Sequence, residues 1–593
     1  MNDPVRPTSQ FHWIGPRLAW CVAGALLASF VGTSLWGAWQ DSVTVDEFNY
    51  PAVGLYYLRT GDFLLDAVNP PLTRELGAIP LLLSGASLDL SPEWHAGASG
   101  WEPWLLGTKF MADNAERYLT LFFLARLFPI ALGVLLGVFV FVWSKAMWGV
   151  SGGLLSLLLY VLCPNVLAHS RLVTADIAVT CFIFLTCYCL WKLLRSPRWR
   201  LVVALGLCIG LAFGSKFSAL LLVVIVPLQA AVLLAAYGNR LGALLKGRTV
   251  AASLVALVLV VSVTTVTVDT VYGFRGMFVP LGKLEMGSPI LRGAARLAPW
   301  LPTPLPRAFL MGLDLKAQEA GRGGYPGFLF GQWAEAGWRS FYAMSLLIKL
   351  PIGVLMLAAM SLLWWRRGWL REQWSGVAMA WIPIVVFVVL ATLLFYRFNY
   401  GLRYILPVLP FVHLASGRVG KLAESRRGAF VVAGSMAAWC IYAAVTIFPH
   451  HLSYFNEFVG GSKNGFKCMV DSNLDWGQDL RELKAYMDRR GLDRISLAYF
   501  GHVSPKLYGI DFVPLARGDR PAGTIAVSAT LLQGMPYPIT YEADFGRMQH
   551  ASEFLRKLRA VRPDDFAWLR SRTPSAMAGY SILIFEPEKT DHE

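Results

Sequence analysis

Apolar runs of about twenty residues alternate with short polar segments along most of the chain. The first run, LAWCVAGALLASFVGTSLWGAWQ at 18–40, contains no charged residue. A helix needs about 20 mostly apolar residues to cross a bilayer, and it satisfies its own backbone hydrogen bonds in lipid. The pattern therefore predicts about eleven membrane-spanning helices. Their limits are 18–40, 119–143, 151–168, 172–194, 201–214, 217–237, 250–270, 344–365, 376–395, 402–417 and 428–448.

Composition and charge distribution agree with this pattern. The 593-residue chain is 55% hydrophobic and only 15% charged, whereas soluble globular chains have about 25% charged residues. The net charge of +15 arises largely from basic residues in alternate loops, as the positive-inside rule requires when the N-terminus is cytoplasmic. We therefore expect a polytopic helical membrane protein in contact with membrane lipids, and no nucleic-acid partner. The basic residues on the cytoplasmic side are Arg6 and Arg17; Lys145; Arg195, Arg198 and Arg200; Arg240, Lys246 and Arg248; Arg366, Arg367 and Arg371; and Arg418, Lys421, Arg426 and Arg427.

The odd number of predicted spans puts the C-terminus outside the cytoplasm. Three substantial outer segments result, at 41–118, 271–343 and 449–593. The last segment is polar enough to fold alone, and its pattern alternates between helix and strand. We predict a membrane domain at 1–448 and a small extracytoplasmic α/β domain at 449–593. The helix-like stretches are DLRELKAYMDRRG and ASEFLRKLRAV, and the strand-like stretches are RISLAYF, GTIAVSA and YSILIFEP.

An acidic pair, Asp46 and Glu47, follows the outer end of the first predicted span. A carboxylate at the outer membrane face can act as a general base on a hydroxyl group when geometry allows. The alternative is that the pair caps an interfacial helix or stays solvated.

A short apolar stretch headed by Arg74 and Glu75 follows the Asn-Pro-Pro sequence at 69–71. The stretch is too short to span a membrane comfortably, so we expect it to lie along the outer surface. Arg74 can bind a lipid phosphate through its forked donors. Alternatively, it only extends its charge to the membrane interface.

Asp176 lies within an apolar pattern at the outer end of the fourth span, in RLVTADIAV. Because an acidic residue at membrane depth is costly, it indicates function. The alternative is an ion pair with Arg171 or Arg126. His169, close by, is interpreted as a structural residue.

Three basic residues, Lys216, Lys349 and Arg403, lie at the same outer face as these acids under the predicted topology. Such a group of cations and acids suits a phosphate leaving group and a neutral hydroxyl nucleophile. It suits ion pairs between helices equally well.

The stretch that follows the last span, HHLSYFNEFVGGSKNGFKCMVDSNLDWGQDL, has the composition of an ordered binding loop. Its polar and aromatic side chains can bind sugar hydroxyls by hydrogen bonding and stacking. The alternative is a structural connector that docks the tail on the membrane domain. The candidates are Asp471, Asn473, Asp475, Trp476 and Gln478.

Cofactor signals are few. All cysteines except Cys468 lie in apolar runs, and no CxxC pair has metal-binding spacing. No GxGxxG motif follows a strand, so we expect no nucleotide cofactor. A divalent cation at Asp46, Glu47, Asp176 and the histidines stays open, because no spacing requires it.

Taken together, these motifs resemble the GT-C glycosyltransferases, in particular the bacterial members of the protein O-mannosyltransferase and aminoarabinose transferase superfamily. The resemblance covers nearly the whole chain. The tail motifs are similar to those of bacterial phospholipid carrier-dependent glycosyltransferases. The motifs are the DE pair, Pro-Pro-Leu, RLVTAD, GSKFSALL, RYILPVLP, YFNE, DSNLDWGQDL and GTIAVSATLLQG.

The resemblance implies transfer of a sugar from a polyprenyl phosphate to an acceptor outside the cytoplasm, usually with inversion, by an enzyme of the bacterial inner membrane. It makes Asp46 the general base, with Glu47 beside it, and Asp176 a second acid. The cations of the outer face become candidates for binding the donor phosphate. Asn69 stands before Pro-Pro where relatives often have His, so no role that rests on that His is carried over. The acceptor stays open between a glycan, a lipid and a protein.

Two other functions remain as alternatives. A lipid or anionic-solute transporter would use the same charges, but it predicts internal repeats and charges at the middle of the membrane, which are not evident here. A non-catalytic scaffold predicts that loss of the Asp46 carboxylate has no effect.

Overall fold

The computed structural model describes residues 15–90, 100–236, 247–321, 325–368, 384–386, 388–391, 398–541 and 559–587. This part of the chain is mostly helical, with a small sheet region near the C-terminus. The predicted fold class, a polytopic helical protein with a small C-terminal α/β part, is confirmed. The helices are Pro16–Gln40, Tyr50–Thr60, Leu72–Leu83, Glu102–Asp113, Tyr118–Val161, Pro164–His169, Ala175–Arg195, Trp199–Ser215, Leu222–Ala236, Gly247–Val271, Pro289–Leu297, Arg307–Gly321, Phe341–Lys349, Ile352–Gly368, Leu409–Ala423, Arg427–Ile447, Leu480–Arg490 and Ala529–Leu532.

Several helices are apolar and long enough to cross a membrane. By length and composition, the described residues contain five such helices, or six if one bent pair counts as a single span. The chain is therefore a multi-pass membrane protein, while the count of eleven spans stays a prediction. The predicted segment 376–395 lies mostly outside the described residues. The five helices begin at Pro16, Tyr118, Ala175, Val250 and Arg427.

The longest helix, Tyr118–Val161, contains a break that separates two predicted spans. Gly149 interrupts it with φ +78° and ψ −174°. Glycine tolerates a positive φ because it has no Cβ. The break falls between the predicted segments 119–143 and 151–168, so the two parts of the helix on either side of Gly149 correspond to two predicted spans.

Two predicted spans differ from the structure because of proline. The segment 344–365 is divided at Pro351 into two helices that meet at 110°. The segment 402–417 begins with two short 3-10 turns, and its α-helix starts only at Leu409 and continues to Ala423. Pro407 and Pro410 lack the amide donors that an interior helical position needs. Arg403 consequently lies in a 3-10 turn before the α-helix begins.

Small residues bring the helices of the membrane part close together. A Cβ added to Gly417 would lie 2.3 Å from Ser156 Oγ. Ser156 Oγ donates to the carbonyl oxygen of His413 at 2.8 Å and pairs with Ser144 Oγ at 2.8 Å. Small and hydroxyl-bearing residues are typical of helix interfaces in membranes, because they allow close approach and hydrogen bonds between helices.

A five-stranded sheet forms the centre of the tail. Its order is Asp511–Pro514, Arg494–Ala498, Ile525–Ser528, Ile582–Phe585 and Ala576–Ala578. The first three strands are parallel, and the last two pair antiparallel. Three of the strands and the helix Leu480–Arg490 lie where the sequence predicted them. The predicted helix at 551–561 lies mostly outside the described residues, and its end, Arg559–Val561, is a strand paired with Tyr537–Ile539. A hairpin of Gly327–Leu329 and Gln332–Ala334 lies in the second outer segment.

The segment between the last span and the sheet packs against the end of the first span. Ser42 N donates to the carbonyl oxygen of Gln478 at 2.8 Å, and Ser42 Oγ donates to that of Gly477 at 2.7 Å. Val45 N donates to the carbonyl oxygen of Trp476 at 2.9 Å. These bonds hold the turn that carries Asp46 and Glu47 against the tail.

Candidate active site

Asp46 occupies the first position of a short 3-10 turn just beyond the first span, Asp46–Phe48. Its Oδ2 accepts a hydrogen bond from Nη1 of Arg403, and 28% of its side chain is exposed. Asp46 therefore has an oriented carboxylate with an open side, which is the arrangement a general base needs.

Glu47, its neighbour, has no exposed surface. Its oxygens accept hydrogen bonds from Arg126 Nη2 at 2.7 Å and Nε at 2.9 Å, and from Val173 N at 2.9 Å. The amide and hydroxyl of Thr44 donate to Oε2 at 3.1 and 3.0 Å. Because these donors fill its lone pairs, the geometry favours a positioning role for Glu47.

Asp176 lies in the first turn of the helix Ala175–Arg195 and is buried. Its Oδ1 accepts a hydrogen bond from Lys216 Nζ at 2.7 Å. The sequence analysis offered Arg171 and Arg126 as ion-pair partners of Asp176. Both are wrong, because Arg126 pairs with Glu47 and Arg171 pairs with Asp41. Asp176 is thus ion-paired, as the alternative had it, but the cation is Lys216, from the turn between the fifth and sixth predicted spans.

Arg403 stands between several acids. It bonds Asp46, and it also interacts electrostatically with Asp176 and Asp471. Its Nε donates to the carbonyl oxygen of Tyr400 at 3.1 Å, and its guanidinium lies 4.5 Å from the ring centroid of Trp476. The side chain keeps 13% exposure, so part of it remains available to a ligand.

Lys216 lies close to the turn that carries Arg403. Its Nζ lies 4.0 Å from the ring centroid of Tyr404, the residue after Arg403, and 18% of its side chain is exposed. The structure therefore brings four predicted residues together as two ion pairs, Asp46–Arg403 and Asp176–Lys216.

Arg74 lies at the edge of this group and is buried. It forms an ion pair with Asp66 at 2.6 Å, and its guanidinium lies 4.4 Å from the ring centroid of Tyr50. Its Nε and Nη1 have no hydrogen-bond acceptor among the described residues. Arg74 Nη2 also donates to Asn49 Oδ1 at 3.4 Å, and Asn49 directly follows the turn that carries Asp46.

Lys349 occupies a different environment, although it was predicted beside the donor phosphate. Its ammonium is buried and donates to the carbonyl oxygen of Leu452 at 2.8 Å and to that of Asn473. The ring of Phe455 lies 4.5 Å away. These contacts use the ammonium to hold the tail segment, which leaves it poorly placed for phosphate.

Asp471, in the tail loop, lies near enough to Arg403 and Asp46 for their charges to act on its carboxyl group. Burial raises its pKa to about 7, Arg403 opposes the rise and Asp46 adds to it. Its backbone has a positive φ of 56°, an uncommon conformation that Asp adopts more readily than most residues. The structure thus brings Asp471 beside Asp46 and Arg403.

The other tail candidates are part of the packing between tail and membrane domain. Asp475 is buried, its Oδ2 accepts from Thr530 N at 2.9 Å, and burial raises its pKa to about 7. Gln478 Nε2 donates to the carbonyl oxygen of Leu474 at 2.9 Å. Trp476 is buried against Arg403. These contacts favour the structural-connector alternative over sugar binding for all three residues.

Two residues near the ion pairs were not singled out from the sequence, Tyr50 and Tyr404. Tyr50 lies four residues after Asp46, and Tyr404 directly follows Arg403. An aromatic residue adjacent to a candidate charged residue is a weak signal, because aromatic residues make up 13% of the chain. Within the described residues, no group of three or more His, Cys, Asp or Glu side chains is arranged to hold a metal ion.

Similarity to solved structures is low. The apo structure of ArnT from Cupriavidus metallidurans aligns at 14% identity with a TM-score of 0.44, covering 74% of this chain and 66% of that one. The oligosaccharyltransferase of Archaeoglobus fulgidus, tethered to an acceptor peptide, aligns at 12% identity with a TM-score of 0.44, covering 81% and 58%. The alignments thus cover less than two thirds of each of these two matched chains.

Sequence comparison gives a more specific result. No curated protein matches the chain. Residues 120–265 match the family model described as dolichyl-phosphate-mannose-protein mannosyltransferase. This segment begins in the helix Tyr118–Val161, ends in Gly247–Val271, and contains Asp176 and Lys216. Over residues 120–265, the match confirms that the chain is similar to the protein mannosyltransferase family of GT-C glycosyltransferases, as its motifs predicted.

Proposed function

We propose that this protein is a membrane glycosyltransferase. It transfers a sugar from a polyprenyl-phosphate donor to an acceptor hydroxyl at the extracytoplasmic membrane face, with Asp46 as general base. The observation that carries this proposal is the partly exposed Asp46 carboxylate, held by Arg403 next to the Asp176–Lys216 pair. The family match supports the class of donor, because dolichol is a polyprenol.

The proposed reaction is a single displacement. Asp46 takes the proton of the acceptor hydroxyl while the hydroxyl oxygen attacks the anomeric carbon. The bond between that carbon and the phosphate oxygen breaks, and the polyprenyl phosphate leaves with the electron pair. Attack opposite to the leaving phosphate inverts the anomeric carbon.

The two cations serve the leaving group. Negative charge grows on the phosphate oxygen as the bond breaks, and fixed positive groups stabilise such charge in a site of low dielectric constant. Lys216 and Arg403 both keep part of their side chains exposed. We assign the donor phosphate to these two residues, with Arg74 as a third contact at the edge of the site.

The remaining acids have supporting roles in this proposal. Asp176 orients Lys216 through their hydrogen bond of 2.7 Å. Glu47 fixes the turn that carries Asp46 by binding Arg126 and the backbone of Val173. Asp471 adds a negative charge near Arg403. The acceptor is a glycan, a lipid or a protein.

Transfer itself is the test. Purified protein in nanodiscs is given a panel of labelled polyprenyl-phosphate sugars together with a membrane and periplasmic extract. We expect wild type to transfer label and Asp46→Asn to fail. Asp511→Asn is a matched control, since it breaks an Asp–Arg pair with Arg494 on the exposed surface of the tail. Binding or flipping of the lipid by wild type, without transfer from any donor, would contradict the proposal and favour the transporter.

A further inference from the structure

The tail segment Asn473–Gln478 contacts the loop that carries Arg403. Asn473 Oδ1 accepts a hydrogen bond from Leu402 N at 2.9 Å. Ser472 Oγ donates to the carbonyl oxygen of Tyr400 at 2.8 Å. The Arg403 guanidinium lies 4.5 Å from the ring centroid of Trp476. The backbone of the turn at 400–403 is thus held on both sides of Gly401, and the Arg403 side chain of the same turn packs against Trp476.

The same segment also holds the turn that carries Asp46. The carbonyl oxygen of Trp476 accepts from Val45 N at 2.9 Å, and that of Gln478 accepts from Ser42 N at 2.8 Å. Trp476 therefore contacts Arg403 through its ring and Val45, the residue before Asp46, through its backbone.

Hydrogen bonds to Lys349 and Val470 in turn hold Asn473 in place. Its carbonyl oxygen accepts a hydrogen bond from the buried ammonium of Lys349, which also binds the carbonyl oxygen of Leu452. Its Nδ2 donates to the carbonyl oxygen of Val470 at 3.2 Å. A buried ammonium whose acceptors are backbone carbonyls restrains those carbonyls strongly, because losing them would leave the charge unsatisfied.

We propose that Asn473 and Trp476 are positioning residues that fix Arg403 relative to Asp46. This inference rests on the proposed function, because it assumes that Arg403 binds the donor phosphate. The buried ring of Trp476 supports the arginine by a cation–π contact, and a buried ring cannot stack on a sugar. In this proposal the tail shapes the donor site of the membrane domain, and Trp476 does not itself bind the sugar.

Donor kinetics test this proposal. We expect Asn473→Ala and Trp476→Leu each to raise the donor KM at least tenfold and to leave the acceptor KM unchanged. In an Arg403→Ala background, the same substitutions should add little, since the arginine they position is gone. Non-additivity of this kind separates positioning of Arg403 from a general loss of structure.

A matched control is Asn114→Ala. Asn114 is also a buried asparagine, and its Nδ2 donates to the carbonyl oxygens of Ser87 and Phe110, which belong to the first outer segment and not to the tail or the Arg403 turn. It should lower stability without a selective change in donor KM. If Trp476→Leu does not fold, Trp476→Phe replaces it in the test. Because phenylalanine keeps an aromatic face for Arg403, the rise in donor KM should be smaller than that of Asn473→Ala.

Additive effects in the Arg403→Ala background, or equal changes in donor and acceptor KM, would overturn the positioning role while transfer by wild type stands. Absence of transfer by wild type would overturn the proposed function instead. In that case, binding of sugar-free polyprenyl phosphate still tests the positioning: the tail variants should weaken binding in the wild-type background only, and equal weakening in the Arg403→Ala background would contradict it.

Discussion

Asp46 and Glu47 are adjacent in sequence but their carboxylates face opposite environments. Asp46 keeps 28% of its side chain exposed beside Arg403, whereas Glu47 is fully enclosed against Arg126. Two neighbouring carboxylates in one short 3-10 turn thus differ in exposure and in partners, and the proposed function assigns the base to the exposed one. Only Asp46 can meet an acceptor hydroxyl without rearrangement of the turn.

Replacing the Asp46 carboxylate should affect turnover more than binding. Asp46→Asn preserves size and removes the base, and general-base catalysis contributes about 10²- to 10⁴-fold. We therefore expect kcat to fall by about that factor while the donor KM changes little. Steady-state kinetics with a fixed acceptor measures both, and a normal kcat would contradict the assignment.

Replacing the Glu47 carboxylate should affect stability. Glu47→Gln leaves the buried guanidinium of Arg126 without its charged partner, and breaking a buried ion pair costs about 3–5 kcal/mol. Thermal unfolding in detergent should show a clear decrease in Tm. The control Asp511→Asn removes an exposed pair and should change the free energy of unfolding by no more than about 1 kcal/mol. A stable but inactive Glu47→Gln would instead make Glu47 catalytic.

The Asp176–Lys216 pair allows structure and phosphate binding to be separated. Lys216→Met leaves Asp176 buried without its cation, so the single variant should be unstable as well as inactive. In the double variant Asp176→Asn, Lys216→Met, no buried charge is left unpaired, and stability should recover. If Lys216 binds the donor phosphate, the donor KM of the double variant should stay at least about tenfold above that of wild type, as expected for loss of about 1.4 kcal/mol of binding free energy. Full recovery of activity would identify the pair as structural only.

Asp471 should give the donor KM a pH dependence near neutrality. Burial raises its pKa to about 7, so the carboxyl group is neutral below this pH and charged above it. Its negative charge beside Arg403 opposes binding of an anionic phosphate. The donor KM should therefore rise between pH 6 and pH 8, by about fivefold if the interaction is worth about 1 kcal/mol.

Asp471→Asn should remove this rise, because an amide does not titrate in that range. Asp475→Asn is the matched control, since burial also raises the pKa of Asp475 to about 7 but its carboxylate binds Thr530 N in the tail. The control should leave the rise in donor KM intact. A rise that persists in Asp471→Asn would assign the pH dependence to another group.

The sequence predicted the general architecture because each span carries its own signal. The first span was predicted at 18–40 and is found at Pro16–Gln40. Predictions were less accurate at 344–365 and 402–417, where Pro351 and Pro407 interrupt apolar runs that hydropathy alone reads as continuous. The position of Arg403 in a turn follows from this interruption.

The site was predictable as a set of charges but not as a set of pairs. The topology predicted from the sequence placed four charged residues at one membrane face: Asp46, Asp176, Lys216 and Arg403. It could not show that Lys349 turns away to bind backbone carbonyls, because those carbonyls belong to residues more than a hundred positions later. Nor could it tell which of Asp46 and Glu47 stays open, since that depends on Arg126 in a different helix.

The contact between Ser42 and Gly477 spans 435 positions of the chain. The ribosome makes the turn with Asp46 early and the segment that completes its surroundings near the end. The acidic turn must therefore remain without its final neighbours while the intervening helices are inserted one after another. The proposed site is consequently complete only after residues 473–478 have been made, and a chain stopped before residue 473 would lie in the membrane without the contacts of Asn473 and Trp476.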